Sequence, residues 1–137
     1  MNSLTEIFGD PISTYTRAQA IEDGVLVDVS ETATEAGITF PVAITQGLWT
    51  EWIEPSEFLR RQGQDVAGRL WDTVYMLRLA AQRGGARIDY KVIYLAEAKR
   101  RLRDGTKVLS KTVTLKALCG PGDDADPVIT IMLPDED

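Results

Sequence analysis

Carboxylates and cations are the groups in this sequence whose types and spacing could do chemistry. Gly122-Asp123-Asp124, with Asp126 two positions on, puts three carboxylates in one turn, and such oxygens suit a hard cation such as Mg²⁺ or Ca²⁺. The plainer reading is a solvated acidic turn whose Gly and Asp supply the backbone angles, and no bound metal is expected. Lys99, Arg100, Arg101 and Arg103, followed by Lys107 and Lys111, form a basic run of the kind that contacts phosphates. Tyr90, Tyr94 and Trp71 are near in sequence, and cations among aromatics are what a single-strand binder uses. Those aromatics sit on amphipathic segments, however, which directs them to the core. Arg87, Asp89, Tyr90, Lys91 and Lys116 would furnish a histidine-free ribonuclease set, although nothing in their spacing selects them. Arg17 with Asp23 and Asp28 makes a compact polar group that reads as a helix cap with an internal ion pair.

What is missing narrows the field further. The 137 residues include no histidine and one cysteine, Cys119. Zinc fingers, imidazole metal sites, Ser-His-Asp triads and Cys-His dyads each lack a required part, and an intrachain disulfide cannot form. Neither a catalytic residue nor a cofactor is expected. No stretch approaches the ~20 apolar residues that cross a bilayer. Met1 to Tyr15, with Glu6, Asp10 and Pro11, lacks the basic and apolar regions of a signal peptide. The expected setting is the cytoplasm, with no membrane contact.

The elements that must position these groups follow from local signals. Apolar residues make up 44% and charged residues 26% of the chain, the balance of one globular domain spanning residues 1–137. Thr16-Arg17-Ala18-Gln19 is a capping box opening a short helix that Gly24 ends. Val25–Val29 and Phe40–Ile44 read as extended pieces flanking a helical turn capped by Ser30. Thr45 caps a helix that aligns Leu48, Trp49, Trp52 and Ile53 on one face until Pro55. Trp49, Trp52 and Phe58 suit either the core or an interface. Residues 54–64 read as a polar loop anchored by Phe58 and Leu59.

The dominant helix runs from Asp65 to Arg83, with Leu70, Trp71, Val74 and Leu77 on its apolar face and Gly84-Gly85 as its stop. Arg87–Tyr94, Val108–Leu118 and Val128–Leu133 then alternate or run apolar as strands, with one helical turn from Ala96 and a basic connection between the first two. The turn chemistry of Gly120–Pro127 pairs the last two as a hairpin. The expected fold class is α+β: N-terminal short helices and one long helix packed on a C-terminal antiparallel sheet of about three strands.

Charge is distributed in blocks. Residues 1–57 hold one base, Arg17, against ten acids; residues 58–118 hold fourteen Lys and Arg against five acids; residues 119–137 hold six acids and no base. Such blocks either compensate one another within the fold or give the surface two electrostatic faces. The net charge of −6 disfavours free nucleic acid as the main ligand and suits a basic partner protein.

Four blocks carry a family resemblance: Ser13 through Ser30; Phe40-Pro41-Val42-Ala43 with Trp49; Gly68-Arg69-Leu70-Trp71-Asp72 with Met76; and Val113 through Lys116 with Cys119–Asp124 and Pro127–Pro134. Together they resemble an uncharacterised domain family of small bacterial proteins carried on plasmids, integrative elements and prophages. The resemblance spans nearly the whole chain and brings no catalytic residue. It implies a setting in which small acidic proteins inhibit host defence by binding a CRISPR effector or a restriction enzyme. The implied function is a non-catalytic, protein-binding inhibitor of the anti-CRISPR or anti-restriction type. Its binding face would be Asp23, Asp28, Glu31, Glu35, Asp123, Asp124 and Asp126, set against a host or effector protein with a basic surface. The alternative is a nucleic-acid-directed protein, a small RNase or single-strand binder, working through Lys99, Arg100, Arg101 and Arg103.

Overall fold

In the computed structural model, which describes residues 15–98 and 107–137, these signals resolve into five helices and five strands. The helices are α1 (Arg17–Glu22), α2 (Ser30–Glu35), α3 (Gln46–Leu48), α4 (Glu57–Arg61) and α5 (Val66–Ala80). The strands are β1 (Leu26–Asp28), β2 (Val42–Thr45), β3 (Arg87–Glu97), β4 (Val108–Pro121) and β5 (Pro127–Met132). Thr16 Oγ1 accepts from the Gln19 N–H at 3.0 Å while Gln19 Oε1 accepts from the Thr16 N–H at 2.9 Å. That is the reciprocal pair of a capping box. Asp65 accepts from the Gly68 N–H at 2.7 Å and starts α5. Beyond a short 3₁₀ turn, Gly84 and Gly85 adopt φ of 73° and 102°, left-handed backbone that ends the helix and launches β3.

The sheet order is β1-β2-β5-β4-β3. It is mixed: β2 runs parallel to β5, and every other pair is antiparallel. The expected sheet of about three antiparallel strands is therefore corrected in number and in direction. The extended pieces near Val25 and Phe40 are strands of three and four residues, too short to display alternation. Val42, Ala43 and Ile44 are fully buried, the continuous apolar run of a strand covered on both faces. Its pairing with β5 crosses more than eighty residues of sequence, from Val42 to Ile129, and no local signal announces it. The hairpin of β4 and β5 forms as expected, from Lys116↔Met132 to Pro121↔Pro127. β3 pairs with β4 from Arg87↔Leu118 to Glu97↔Val108, so the helical turn expected at Ala96 is strand instead.

Three further expectations change in detail. Val29, not Ser30, stands at the N-cap position of α2, with no side-chain capping bond; the Ser30 hydroxyl instead donates to Asp28 Oδ1 at 2.6 Å and accepts from the Val42 N–H at 3.0 Å. Residues 54–64 are not all loop, because Ser56 accepts from the Leu59 N–H at 3.2 Å and nucleates α4. After α3 the chain widens into a five-residue π-helical turn, Trp49–Ile53, closed by the Glu54 N–H on the Trp49 carbonyl at 2.9 Å.

On one face of the sheet, Val42, Ile44, Tyr90, Val92, Leu115 and Ile131 meet Val74 and Leu77 of α5 and Ala33 of α2 in one core. Arg69, only 4% exposed, enters that layer from α5. Its Nε donates to the Trp52 carbonyl at 2.7 Å, and its Nη1 donates to Gln64 Oε1 at 3.1 Å and the Leu95 carbonyl at 3.0 Å. The Trp52 carbonyl lies in the last turn of its helix, where no intrahelical donor remains. Tyr94 stacks on Trp52 at 5.4 Å between centroids, and the Arg69 guanidinium lies 5.2 Å from the Tyr94 ring centre. Thr73 Oγ1 donates to the Arg69 carbonyl at 2.7 Å, so the Tyr94 hydroxyl, 2.6 Å from Thr73 Oγ1, is the donor in that pair. Burial pulls the Arg69 guanidinium below its ordinary value, and burial pushes the Tyr94 phenol up to about 12.

Two outcomes follow. Arg69→Ala lowers stability by about 3 kcal/mol in urea unfolding, because buried carbonyls lose their donor; Arg69→Lys recovers little, since an ammonium cannot reproduce the planar fork. The Tyr94 phenol, with a folded value above the unfolded one, binds its proton more tightly in the native state. Stability is therefore unaffected by this group below the ordinary tyrosine range and falls as pH rises from there towards about 12. Alkaline unfolding of Tyr94→Phe, followed by circular dichroism, shows a shallower decline over that range.

Candidate interaction surface

The other face of the sheet carries α1, and the turn between β4 and β5 holds it there. In that turn the Gly122 N–H donates to the Asp126 carbonyl at 2.7 Å and the Ala125 N–H to the Gly122 carbonyl at 3.0 Å. Ala125 takes a φ of 72°, left-handed backbone that an alanine adopts at a cost of about 1 kcal/mol. The turn presents Asp123 to the start of α1. Its two oxygens accept from the Arg17 N–H at 2.8 Å and the Ala18 N–H at 3.0 Å. Those backbone donors, with the Arg17 charge adding to them, hold the Asp123 carboxyl below its ordinary value.

The Arg17 side chain reaches back over β5. Nη1 donates to Thr130 Oγ1 and Nη2 to the Ile129 carbonyl, both at 2.7 Å. Burial lowers its pKa, while the attraction of Asp28 and Asp123 opposes that shift. The internal ion pair expected here is thus a pair of neutral acceptors on β5. Asp28 accepts from Ser30, and Asp23 accepts from the Tyr15 hydroxyl at 2.8 Å, which raises the Tyr15 phenol.

All seven carboxylates anticipated as a binding face are exposed. Asp23 ends α1, Asp28 lies on β1, Glu31 and Glu35 ride on α2, and Asp123, Asp124 and Asp126 form the turn. They therefore belong to the elements around the β1 edge and to the turn that clasps α1. Four of them, Asp23, Asp28, Asp123 and Asp124, accept hydrogen bonds from their own chain. Asp123 in particular is a clasp, with both oxygens engaged. Among the described residues there are two ion pairs, Glu57–Arg61 at 3.6 Å and Arg87–Asp89 at 3.3 Å. Both are local, and neither uses any of the seven. Only Glu57–Arg61, at the junction of the first two charge blocks, joins opposite blocks among the described residues.

Beside α1 opens an apolar groove of about 670 Å³, lined by Ala20, Val25, Leu26, Leu118 and Met132 with Glu136 on its border. Glu136 is tied down: Oε2 accepts from Thr45 Oγ1 at 2.7 Å and from the Leu133 N–H at 2.8 Å, and its carbonyl accepts from Lys116 Nζ. A Cβ at position 47 would sit 2.7 Å from Glu136 Oε1, so any larger residue there would have to displace the Glu136 carboxylate. Nothing in the local sequence marked Glu136 or Arg69; each acts through partners distant in the chain.

Tyr90 is buried on the core face with its hydroxyl on the Thr73 carbonyl at 2.9 Å, while Arg87, Asp89 and Lys91 alternate onto the opposite, exposed face of β3. Lys116 shares that opposite face, directly across from Asp89, but is buried with its Nζ on the Glu136 carbonyl. Of the ribonuclease set, Tyr90 alone lies across the sheet from the other four. Tyr94 faces the core as expected, but Trp71 does not: it is exposed and stacks on Tyr75 at 5.7 Å. Trp49 and Trp52 are half-buried against the core, and Phe58 is half-buried. Among the described residues no three His, Cys, Asp or Glu side chains are placed to hold a metal ion, and no helix is long and apolar enough to cross a membrane. Lys99, Arg100, Arg101 and Arg103 lie outside the described residues.

A family model described as "Family of unknown function (DUF6573)" matches residues 1–137. No curated protein and no solved structure matches the chain.

Asp123→Ala is expected to speed hydrogen exchange at the Arg17 and Ala18 amides roughly fivefold, as loss of a helix-capping acceptor does, and to leave the β3–β4 hairpin protected. Because the Asp123 value is depressed in the fold, its stabilisation is present above the ordinary carboxylate range and lost as pH falls through the lowered value. NMR of the two amides during acid titration shows α1 detaching at lower pH than free carboxylates protonate.

Proposed function

The chain belongs to the DUF6573 family of unknown function, and we propose that it is a non-catalytic, protein-binding inhibitor of a host defence system, of the anti-CRISPR or anti-restriction type, carried on a mobile element. The observation that carries this reading is the exposed carboxylate set around α1, β1, α2 and the β4–β5 turn, none of it ion-paired among the described residues. Exposed acids outside ion pairs steer a basic partner and raise its association rate. The apolar groove beside α1 supplies what charge alone does not, a patch that gains affinity by excluding water. An apolar groove on the same elements, α1 and β1, as part of the acidic set fits a basic protein surface of the kind that otherwise holds nucleic acid. Occupying such a surface blocks it without any bond being made or broken, and no catalytic group is required.

The test is phage plating on cells that carry an active CRISPR or restriction system and express the chain. Plating efficiency rises with the wild type. It returns to the restricted level when Asp23, Glu31, Glu35 and Asp126 are changed together to their amides, which leaves Asp123 and α1 intact. Unchanged plating across systems sinks the reading. RNA degradation by the purified protein, or a DNA or RNA shift lost on changing Arg100, Arg101 and Arg103 to Ala, favours the nucleic-acid alternative instead.

A further inference from the structure

β3 is the edge strand opposite β1. The Cys119 N–H donates to the Ala86 carbonyl at 2.8 Å and the Ala98 N–H to the Lys107 carbonyl at 2.7 Å, so even-numbered residues along β3 turn their backbone groups to β4. Odd-numbered residues turn theirs outward. The Asp89 carbonyl accepts from Arg83 at 3.1 Å and the Leu95 carbonyl from Arg69 at 3.0 Å. Between those two points the N–H and C=O groups of Lys91 and Ile93 have no partner among the described residues. An open edge of this kind is a template for another strand.

The side chains next to that edge are also uncovered. Ile93 is 63% exposed, and α5 leaves Tyr75, Met76 and Leu79 exposed alongside it. Two open hollows, of about 550 and 430 Å³, lie between α5 and β3, and Met76 and Lys91 line both. A strand edge and an apolar helix flank left open side by side are what a sheet-extending partner covers.

We propose that the partner is a second copy of this chain, its β3 pairing antiparallel with the first about a two-fold axis at Tyr90 to make one continuous ten-stranded sheet. The charges on β3, together with the length of strand that overlaps, select this arrangement: an axis at Ile88 would pair Arg87 with Asp89 but overlap only residues 87–89 of the strand. An axis at Asp89 would set that carboxylate against itself, and an axis at Lys91 would oppose two lysines. An axis at Val92 needs the Leu95 carbonyl, which buried Arg69 already holds. With the axis at Tyr90, Asp89 stands opposite Lys91 of the second copy, and Lys91 opposite Asp89, so each pair occurs twice. Arg87 then lies opposite Ile93, where its aliphatic stem covers exposed apolar surface. Arg83, itself exposed, leaves the Asp89 carbonyl to the incoming strand. The two α5 helices come together across the axis and bury Tyr75, Met76 and Leu79 against one another. This association uses the β3 edge and does not depend on the acidic surface around β1.

Sedimentation velocity over a wide concentration range, supported by light scattering, tests the proposal with the full chain. The wild type is a dimer. Asp89→Lys and Lys91→Asp each replace two attractions with two repulsions and weaken the dimer at least about tenfold. The Asp89→Lys/Lys91→Asp double variant recovers most of it, because the pairing between copies is rebuilt with signs exchanged while the Arg87–Asp89 pair within each chain is lost. Both positions are exposed, and far-ultraviolet circular dichroism confirms that each variant is folded. A wild type that stays monomeric overturns the proposal, as does a dimer indifferent to both single variants or a double variant that fails to recover.

Discussion

A buried guanidinium with no carboxylate bonded to it holds the helical layer to the sheet. Arg69 is permanently charged, and taking that charge out of water is tolerable only because three oxygens from three segments converge on it. Those oxygens belong to the end of the π-helical turn, to Gln64 ahead of α5, and to β3. None can move without stranding a charge, so the geometry of all three is coupled. The Tyr94 ring under the guanidinium and Trp52 stacked on that ring extend the coupling. The Gly68–Asp72 block that contributes to the family resemblance thus includes the residue on which the layers are registered.

What the amino-acid order reveals and conceals follows the range of the interactions. The capping box at Thr16, the Asp65 start of α5, the glycine stop at Gly84 and the β4–β5 hairpin all depend on neighbours within a few residues, and all were legible. The extended character of β1 and β2 was legible too, but their pairing into the sheet, the widened turn after α3 and the role of Arg69 depend on contacts farther along the chain, and these were not. Ser56 is a local cap for α4, but its polar surroundings have the composition of a loop and mask the signal. Trp71 misled through its helical spacing: Leu70 faces the core, and Trp71, one step round the helix, does not. The acidic set was legible as exposed, yet the conversion of Asp123 from a free anion into a clasp for α1 arises only when the turn meets the helix.

The sheet sorts the charge of the chain in space. β1, with α1 and α2 beside it, takes the acid-rich first segment, and β3 takes residues of the basic middle to the far edge. The β4–β5 turn returns the acidic last segment to α1 through Asp123. Charge blocks that look like a compositional oddity in one dimension become two unlike edges in three, carboxylates around β1 and mixed charges, Arg87 and Lys91 beside Asp89 and Glu97, along β3. Each edge then offers a different kind of contact, one governed by carboxylates around an apolar groove and the other by unpaired backbone with alternating charges.

The placement of β2 has a consequence for how the chain is made. Val42–Thr45 is flanked on one side by β1, already synthesised, and on the other by β5, which emerges some eighty residues later. Until β5 has left the ribosome, a strand buried on both faces in the finished protein has one side open and its apolar residues in water. At the usual ~5–20 residues per second of translation, that exposure lasts for several seconds. Closure of the sheet therefore waits on β5, and β2 keeps an unpaired edge until that late strand arrives.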